Sequence, residues 1–219
     1  LSVVLSARAT SLRAAMSELA GKGEIEVRNG RIEGVGAELI ERTALAAIEG
    51  GEGVTRAMLL ALIGTERARS ALPIGNRKLP LDVAEGVAKI GALEIGTPAA
   101  TLRNTTTVDL ASLKADSEWR ILPRRRLPGK SGTSRAPLPA VALIWNGPLA
   151  GIARAEPRLS LDALEQELAI RKMEHDAERL EELRRQDEKR AANEAARLKE
   201  MDEAARSPVP GSNTGDAPS

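Results

Sequence analysis

The stretch from Val87 to Ile121, VAKIGALEIGTPAATLRNTTTVDLASLKADSEWRI, decides the fold. In its middle, Ala100, Leu102, Thr106, Val108 and Leu110 share one face of an extended chain, while Thr101, Arg103, Thr105, Thr107 and Asp109 share the other. A period of two with one apolar and one polar face marks a half-buried strand. Val87 to Ile95 repeats the pattern before it, and Trp119 with Ile121 repeats it after. Consecutive strands of this kind predict an antiparallel sheet covered on one side only.

Working outward, Leu79, Leu81 and Val83 alternate upstream, and Leu138 to Trp145 form the next apolar run downstream, which predicts a meander of about five strands. The connection between the last two, PRRRLPGKSGTSRAP, is long and basic. Two helical patches precede the sheet. Leu39, Ile40, Ala44, Ala47 and Ile48 recur at helical spacing and stop at Gly50-Gly51; Met58, Leu59, Leu62 and Ile63 do the same behind Thr55. Nearer the start, Ser2 to Ala9 alternates as a strand. Leu12, Ala15, Met16 and Leu19 then read as a short amphipathic helix capped by Thr10 and Ser11. The following GKGEIEVRNGRIEGVG reads as a β-hairpin turning at Asn29-Gly30, with Ile32 opposite Val27, because both turn positions tolerate positive φ.

From about Leu159 to Arg206 there is no Gly or Pro, and Ala, Leu, Glu, Arg and Lys dominate, predicting one long charged helix. Leu161, Leu164 and Leu168 give its first turns an apolar stripe able to dock on the sheet. Met173, Leu180, Leu183, Leu198 and Met201 are too widely spaced for a strong heptad seam, so a solvated or loosely paired helix is expected. The tail SPVPGSNTGDAPS is expected to be disordered. The class is α+β: an antiparallel β meander with a few short helices and one apolar sheet face over 1–158, a long C-terminal charged helix over 159–206, and a tail over 207–219.

Composition narrows the function. The chain has 219 residues with 32 basic and 31 acidic side chains, a formal net charge of +1, which removes the broad attraction expected of a nucleic-acid binder. No cysteine means no disulfide, thiolate nucleophile or Cys-ligated zinc. Phe and Tyr are absent, so Trp119 and Trp145 are the only aromatics and the core is built from Ala, Val, Ile and Leu. No run approaches the roughly 18 apolar residues of a membrane-spanning helix. The chain begins at Leu1 and is read as a segment of a longer protein.

No catalytic constellation emerges, and no cofactor or metal is expected. His175 stands alone among charges on the long helix, with no second His or Cys to complete a zinc site. No serine sits in a Gly-x-Ser-x-Gly elbow, and Lys130-Ser131 lacks an activating context. Gly50-Gly51-Glu52-Gly53 runs into Val54-Thr55-Arg56 rather than the Gly-Lys-Ser/Thr of a phosphate loop. Glu24, Glu26 and Glu33 with Arg28 and Arg31 read as surface ion pairs. Arg124, Arg125 and Arg126, with Lys130 and Arg135, are able to meet anionic lipid headgroups or RNA phosphates, the latter disfavoured because no aromatic stacks beside them, against the plainer reading of a solvated loop.

The order of Gly21, Gly23, Ile25, Val27, Asn29, Gly30, Ile32, Gly34 and Val35, followed at once by a helix and later by an alternating strand ending in Asp109-Leu110, resembles the C-terminal region of the AsmA family of envelope proteins, relatives of TamB. The resemblance covers about residues 1 to 150. It implies a β-rich, non-enzymatic protein held in the inner membrane by an N-terminal anchor outside this chain, with its body in the periplasm. Such proteins are implicated in outer-membrane biogenesis and in moving phospholipid along an apolar β groove. On this reading the acyl-chain contacts are the sheet's apolar face: Leu79, Leu81, Val83, Leu93, Ile95, Leu102, Val108, Trp119, Ile121, Leu143 and Trp145, with Arg124, Arg125 and Arg126 at headgroups. The competing expectation is a protein-interaction module that uses the long C-terminal helix to reach an envelope partner, the sheet serving only as its core.

Overall fold

The computed structural model describes residues 2–6, 18–125 and 136–206. The expected helix from Leu12, the basic loop around Arg126 to Arg135 and the tail after Arg206 lie outside the described residues. The chain divides into two compact units, Leu1–Lys172 and Met173–Ser219.

The first unit is built on one sheet of eight strands in sequence order. These are β1 (Ser2–Ser6), β2 (Ala20–Glu33), β3 (Ala71–Ala84), β4 (Val87–Gly96), β5 (Ala100–Asp109), β6 (Lys114–Pro123), β7 (Val141–Pro148) and the two-residue β8 (Arg158–Leu159). Every neighbouring pair is antiparallel, so the meander read from the sequence is present and longer than the five strands expected. β5 shows the alternation that decided the fold: Ala100, Leu102, Asn104 and Val108 are buried, whereas Arg103, Thr105 and Asp109 are exposed.

Helices α1 (Leu39–Glu49) and α2 (Arg56–Arg69) form the connection from β2 to β3. Thr55 caps α2 by accepting the Met58 N–H at 3.3 Å, which satisfies one of the free donors at the helix start. Their buried stripes, Leu39, Ile40, Ala44 and Ala47 on α1 and Leu59 and Ile63 on α2, form one core with Leu93, Ile95, Leu102, Ile121 and Leu143 of the sheet. The third helix, α3 (Asp162–Arg206), adds Leu161, just before it, with Leu164 and Leu168 to that core. An Arg56 to Asp162 ion pair at 2.6 Å ties the starts of α2 and α3 together. A smaller cluster, Val83, Ala88, Val108 and Ala115, lies on the sheet elsewhere, with Leu19, Leu81, Leu110 and Ile152 packed against it.

The Asn29-Gly30 hairpin is corrected by the structure. β2 runs straight through both residues, with Val27 paired to Arg77, Ile32 to Leu72, and the register shifting on each side of Gly30. Asn29 takes φ 49° and the chain bulges there instead of reversing. Pairing explains the outcome, because β3 pairs with β2 on both sides of the dipeptide, from Gly21 to Val27 and from Gly30 to Glu33, and a reversal at Asn29 forfeits the second stretch. The tight two-residue hairpin of the sheet is Glu85-Gly86, where φ is 50° and 72° and Ala84 pairs with Val87. Positive φ at both central positions is the requirement of a type I′ turn.

The second unit is described from Met173 to Arg206 as the continuation of α3. Met173, Leu180, Leu183, Leu198 and Met201 are exposed on it. Pairs four residues apart, such as Glu181 with Arg185 and Glu182 with Gln186, add the few tenths of a kcal/mol each that support a solvated helix.

Candidate amphipathic cavity

Between the two apolar clusters of the first unit lies a cavity of about 520 Å³. Its floor is the inner face of the middle strands: Ile90 of β4, Thr106 and Val108 of β5, and Ala115, Ser117 and Trp119 of β6. Its walls come from opposite sides of the sheet order, Arg31, Ile32 and Glu33 at the end of β2, and Trp145 of β7 with Leu149 and Ile152 after it. Two strands five places apart in the sheet line one space, so the sheet curves around it. The last turn of α2 closes one end with Arg67.

Local sequence places each group. Along β6 the alternation Ala115, Ser117, Trp119, Ile121 puts a hydroxyl and an indole on the face that is elsewhere aliphatic. On β5 the same parity gives Leu102, Asn104, Thr106, Val108. Across the strand pair, Asn104 Nδ2 donates to Ser117 Oγ and to the Glu118 carbonyl, both at 3.1 Å, while its Oδ1 accepts the Thr106 hydroxyl at 3.0 Å. Thr106 and Ser117 hydroxyls lie 2.8 Å apart. The trio satisfies its own polar atoms, so the floor offers a small polar patch without stranding a buried donor.

Arg67 is the notable wall residue. It extends the buried stripe Leu59, Ile63 by one further i+4 step on α2. Its guanidinium carbon lies over the Trp145 ring, 5.7 Å from the centroid, and its Nε donates to the Gly34 carbonyl at 3.3 Å. Trp145 is held in turn by its Nε1–H on the Ala155 carbonyl at 2.9 Å. Burial pulls the Arg67 pKa below the ordinary arginine value, while the charge of Glu156 opposes the shift. An arginine stays ionised under such pressure, so the cavity wall carries a positive charge that is half removed from water. Arg31, also on the wall, is engaged with Glu33 at 2.7 Å.

Of the residues expected to meet acyl chains, the structure brings Val108, Trp119 and Trp145 to this cavity. Leu93, Ile95, Leu102, Ile121 and Leu143 lie instead beneath α1, α2 and the start of α3. Much of the face expected to meet acyl chains is thus filled by the chain's own helices, because their apolar stripes need the same surface that the strands present. Val83, with Leu81 against it, belongs to the smaller cluster, and Leu79 packs at the margin of the main core. Arg125 is exposed and lies 3.8 Å from Glu41, beside a cleft of about 320 Å³ that Arg42 and Arg69 also border. Arg124 is exposed, its backbone N–H bound to the Ala99 carbonyl, and Arg126 is outside the described residues. His175 lies 3.5 Å from Asp176 on α3, and no metal-binding group of His, Asp and Glu occurs among the described residues. No helix among the described residues is long and apolar enough to cross a membrane.

Sequence reasoning missed Arg67, Asn104 and Ser117. The signal was available for all three as parity or i+4 continuation of an apolar stripe, read past because the residues are polar. Comparison with known protein families, with curated proteins and with solved structures finds no match to this chain.

Proposed function

We propose that this chain is a non-enzymatic segment of an AsmA-like envelope protein at the periplasmic face of the inner membrane, and that its curved sheet holds lipid acyl chains in transit to the outer membrane. The observation that carries the reading is the cavity of about 520 Å³ between the two apolar clusters, lined by both tryptophans of the chain. Ile32, Ile90, Val108, Ala115 and Ile152 supply apolar area worth about 25 cal/mol per Å² without directional contacts, which suits a chain that must be held and released. A volume of that order lies within the range of sites that enclose most of a small ligand. Native purification followed by lipid extraction and mass spectrometry tests the reading. Recovery of stoichiometric lipid supports it; a lipid-free protein that also takes up no added amphiphile contradicts it.

A second reading is favoured by one observation of its own. The exposed Met173, Leu180, Leu183, Leu198 and Met201 of the second unit give a helix with apolar residues to offer a protein partner. Under that reading the first unit is only the stable base of an interaction module, and loss of the cavity leaves partner capture intact.

A further inference from the structure

We propose that Arg67 makes the cavity selective for amphiphiles with a monoanionic head, its guanidinium pairing with the head while the apolar chain lies along the sheet floor. The inference rests on the acyl-chain reading of the same cavity and adds the class of head it accepts.

Three observations carry it. First, Arg67 has unused donors. A guanidinium offers five N–H groups in a planar fork, and among the described residues the contacts made by this one are a single hydrogen bond to Gly34 and the approach over the Trp145 ring. No carboxylate lies within ion-pair distance of it among the described residues. Second, the remaining charges around the cavity cancel. Arg31 and Glu33 neutralise each other on the wall, and Glu156 acts on Arg67 only from beyond ion-pair distance, so one positive charge faces the space. One cation in a part-apolar site is complemented by one anion; a dianionic head leaves a charge unpaired away from water, which is costly. Third, Trp145 fixes the fork. The indole is pinned to Ala155 and the guanidinium over it is held by the Gly34 carbonyl, so the fork is preorganised and a planar bidentate acceptor meets it with little ordering cost.

A fatty-acid carboxylate and the phosphodiester of a lysophospholipid both satisfy this chemistry. Trp119 and Trp145 are the only aromatics of the chain and both line the cavity, so tryptophan fluorescence reports its occupancy directly. The purified chain is titrated below micelle concentrations with myristate, with myristoyl-lysophosphatidylglycerol and with uncharged myristyl alcohol. The expected result is that at least one anion binds about tenfold or more tighter than the alcohol, as a charged hydrogen bond in a shielded site provides. Whichever anion gains identifies the head. Arg67→Gln is expected to bring the anion down to the affinity of the alcohol without changing the alcohol itself, whereas Arg103→Gln, on the exposed face of β5 and outside the cavity lining, leaves the ratio intact. Equal affinity of all three ligands for the wild-type chain overturns the role of Arg67 and leaves the acyl-chain reading standing. Binding of none of them overturns both. Because the wild-type comparison decides by itself, a poorly folding Arg67 variant does not shelter the proposal.

Discussion

The backbone N–H of Asn29 on β2 donates to the side-chain Oδ1 of Asn76 on β3 at 2.8 Å, a contact between neighbouring strands at the place where the local sequence signals a reversal. Gly30 pairs with Gly75 beside it, and φ at Gly75 is 64°. The bulge is therefore two-sided, with a kink on each strand, and it sits next to the residues Arg31 to Glu33 that wall the cavity. Bulges raise local twist and bend the strand that carries them. The end of β2 and Trp145 of β7 line the same cavity.

This arrangement makes Gly30 a matter of space rather than of backbone conformation. A Cβ there meets Ile74 Cγ1 and Val27 Cγ1 at 2.5 Å, whereas a Cβ at Gly75 meets nothing within 4 Å. Gly30→Ala is expected to lower stability by about 1–3 kcal/mol through overpacking. Gly75→Ala carries only the left-handed penalty of about 1–2 kcal/mol. Urea unfolding of the two variants checks this, and a Gly30→Ala midpoint equal to wild type contradicts the close packing.

The Glu85-Gly86 turn gives the complementary case. Gly86 has φ 72°, so Gly86→Ala is expected to cost about 1–2 kcal/mol through backbone strain. Asn29→Ala removes no turn and, at an exposed bulge, is expected to cost no more. Thermal unfolding that ranks Asn29→Ala well above Gly86→Ala in damage restores the Asn29-Gly30 hairpin and rejects the observed pairing.

Within α3, burial separates residues of the same type. Leu164 and Leu168 are 1% and 0% exposed in the core of the first unit, and Leu180 is 62% exposed in the second. Truncating either of the former to Ala is expected to cost about 2–5 kcal/mol, and Leu180→Ala less than about 0.5 kcal/mol. Denaturant unfolding of the three single variants measures the contrast. A cost at Leu180 comparable to that at Leu168 shows that it is covered in solution.

Asp109 closes the β5 to β6 turn by accepting the N–H groups of Ala111 and Ser112, both at 2.9 Å. The Ser112 backbone hydrogen bond is the largest influence holding its carboxyl below the ordinary aspartate value. A depressed carboxyl pKa contributes stability at pH values above its unfolded value of about 3.9, and that contribution disappears as pH falls through the folded value. Asp109→Ala is therefore expected to unfold earlier than wild type at neutral pH, with the difference shrinking as the pH is taken below about 4. Thermal scans across that range test the sign; a difference that grows on acidification contradicts it.

Strand after strand was legible because β4 to β7 each bury one face, and the period of two in Ala100 to Leu110 survives into the burial of β5. Both short helices were legible for the same reason at period 3.6, Thr55 included as the cap of α2. Asn29-Gly30 was misread since a local dipeptide preference of this kind is small beside the ladder that β3 supplies on both sides of the dipeptide. The extent to which helices fill the sheet was not legible either. Periodicity shows that Leu59 and Ile63 share a face, but not that this face lands on Leu102 and Ile121. The cavity depends on a long-range meeting, the end of α2 with β7, and no spacing along the chain encodes the contact of Arg67 with Trp145.

The central claim, that the cavity is a seat for an apolar chain, is tested most directly by contact quenching. A fatty acid brominated at mid-chain is titrated into the purified protein alongside its unbrominated counterpart while tryptophan emission is followed. Because Trp119 and Trp145 both line the cavity, the account predicts saturable quenching by the brominated chain alone, at one equivalent per protein, and competition by the unbrominated acid. Emission that falls equally with both acids, or with neither, contradicts it.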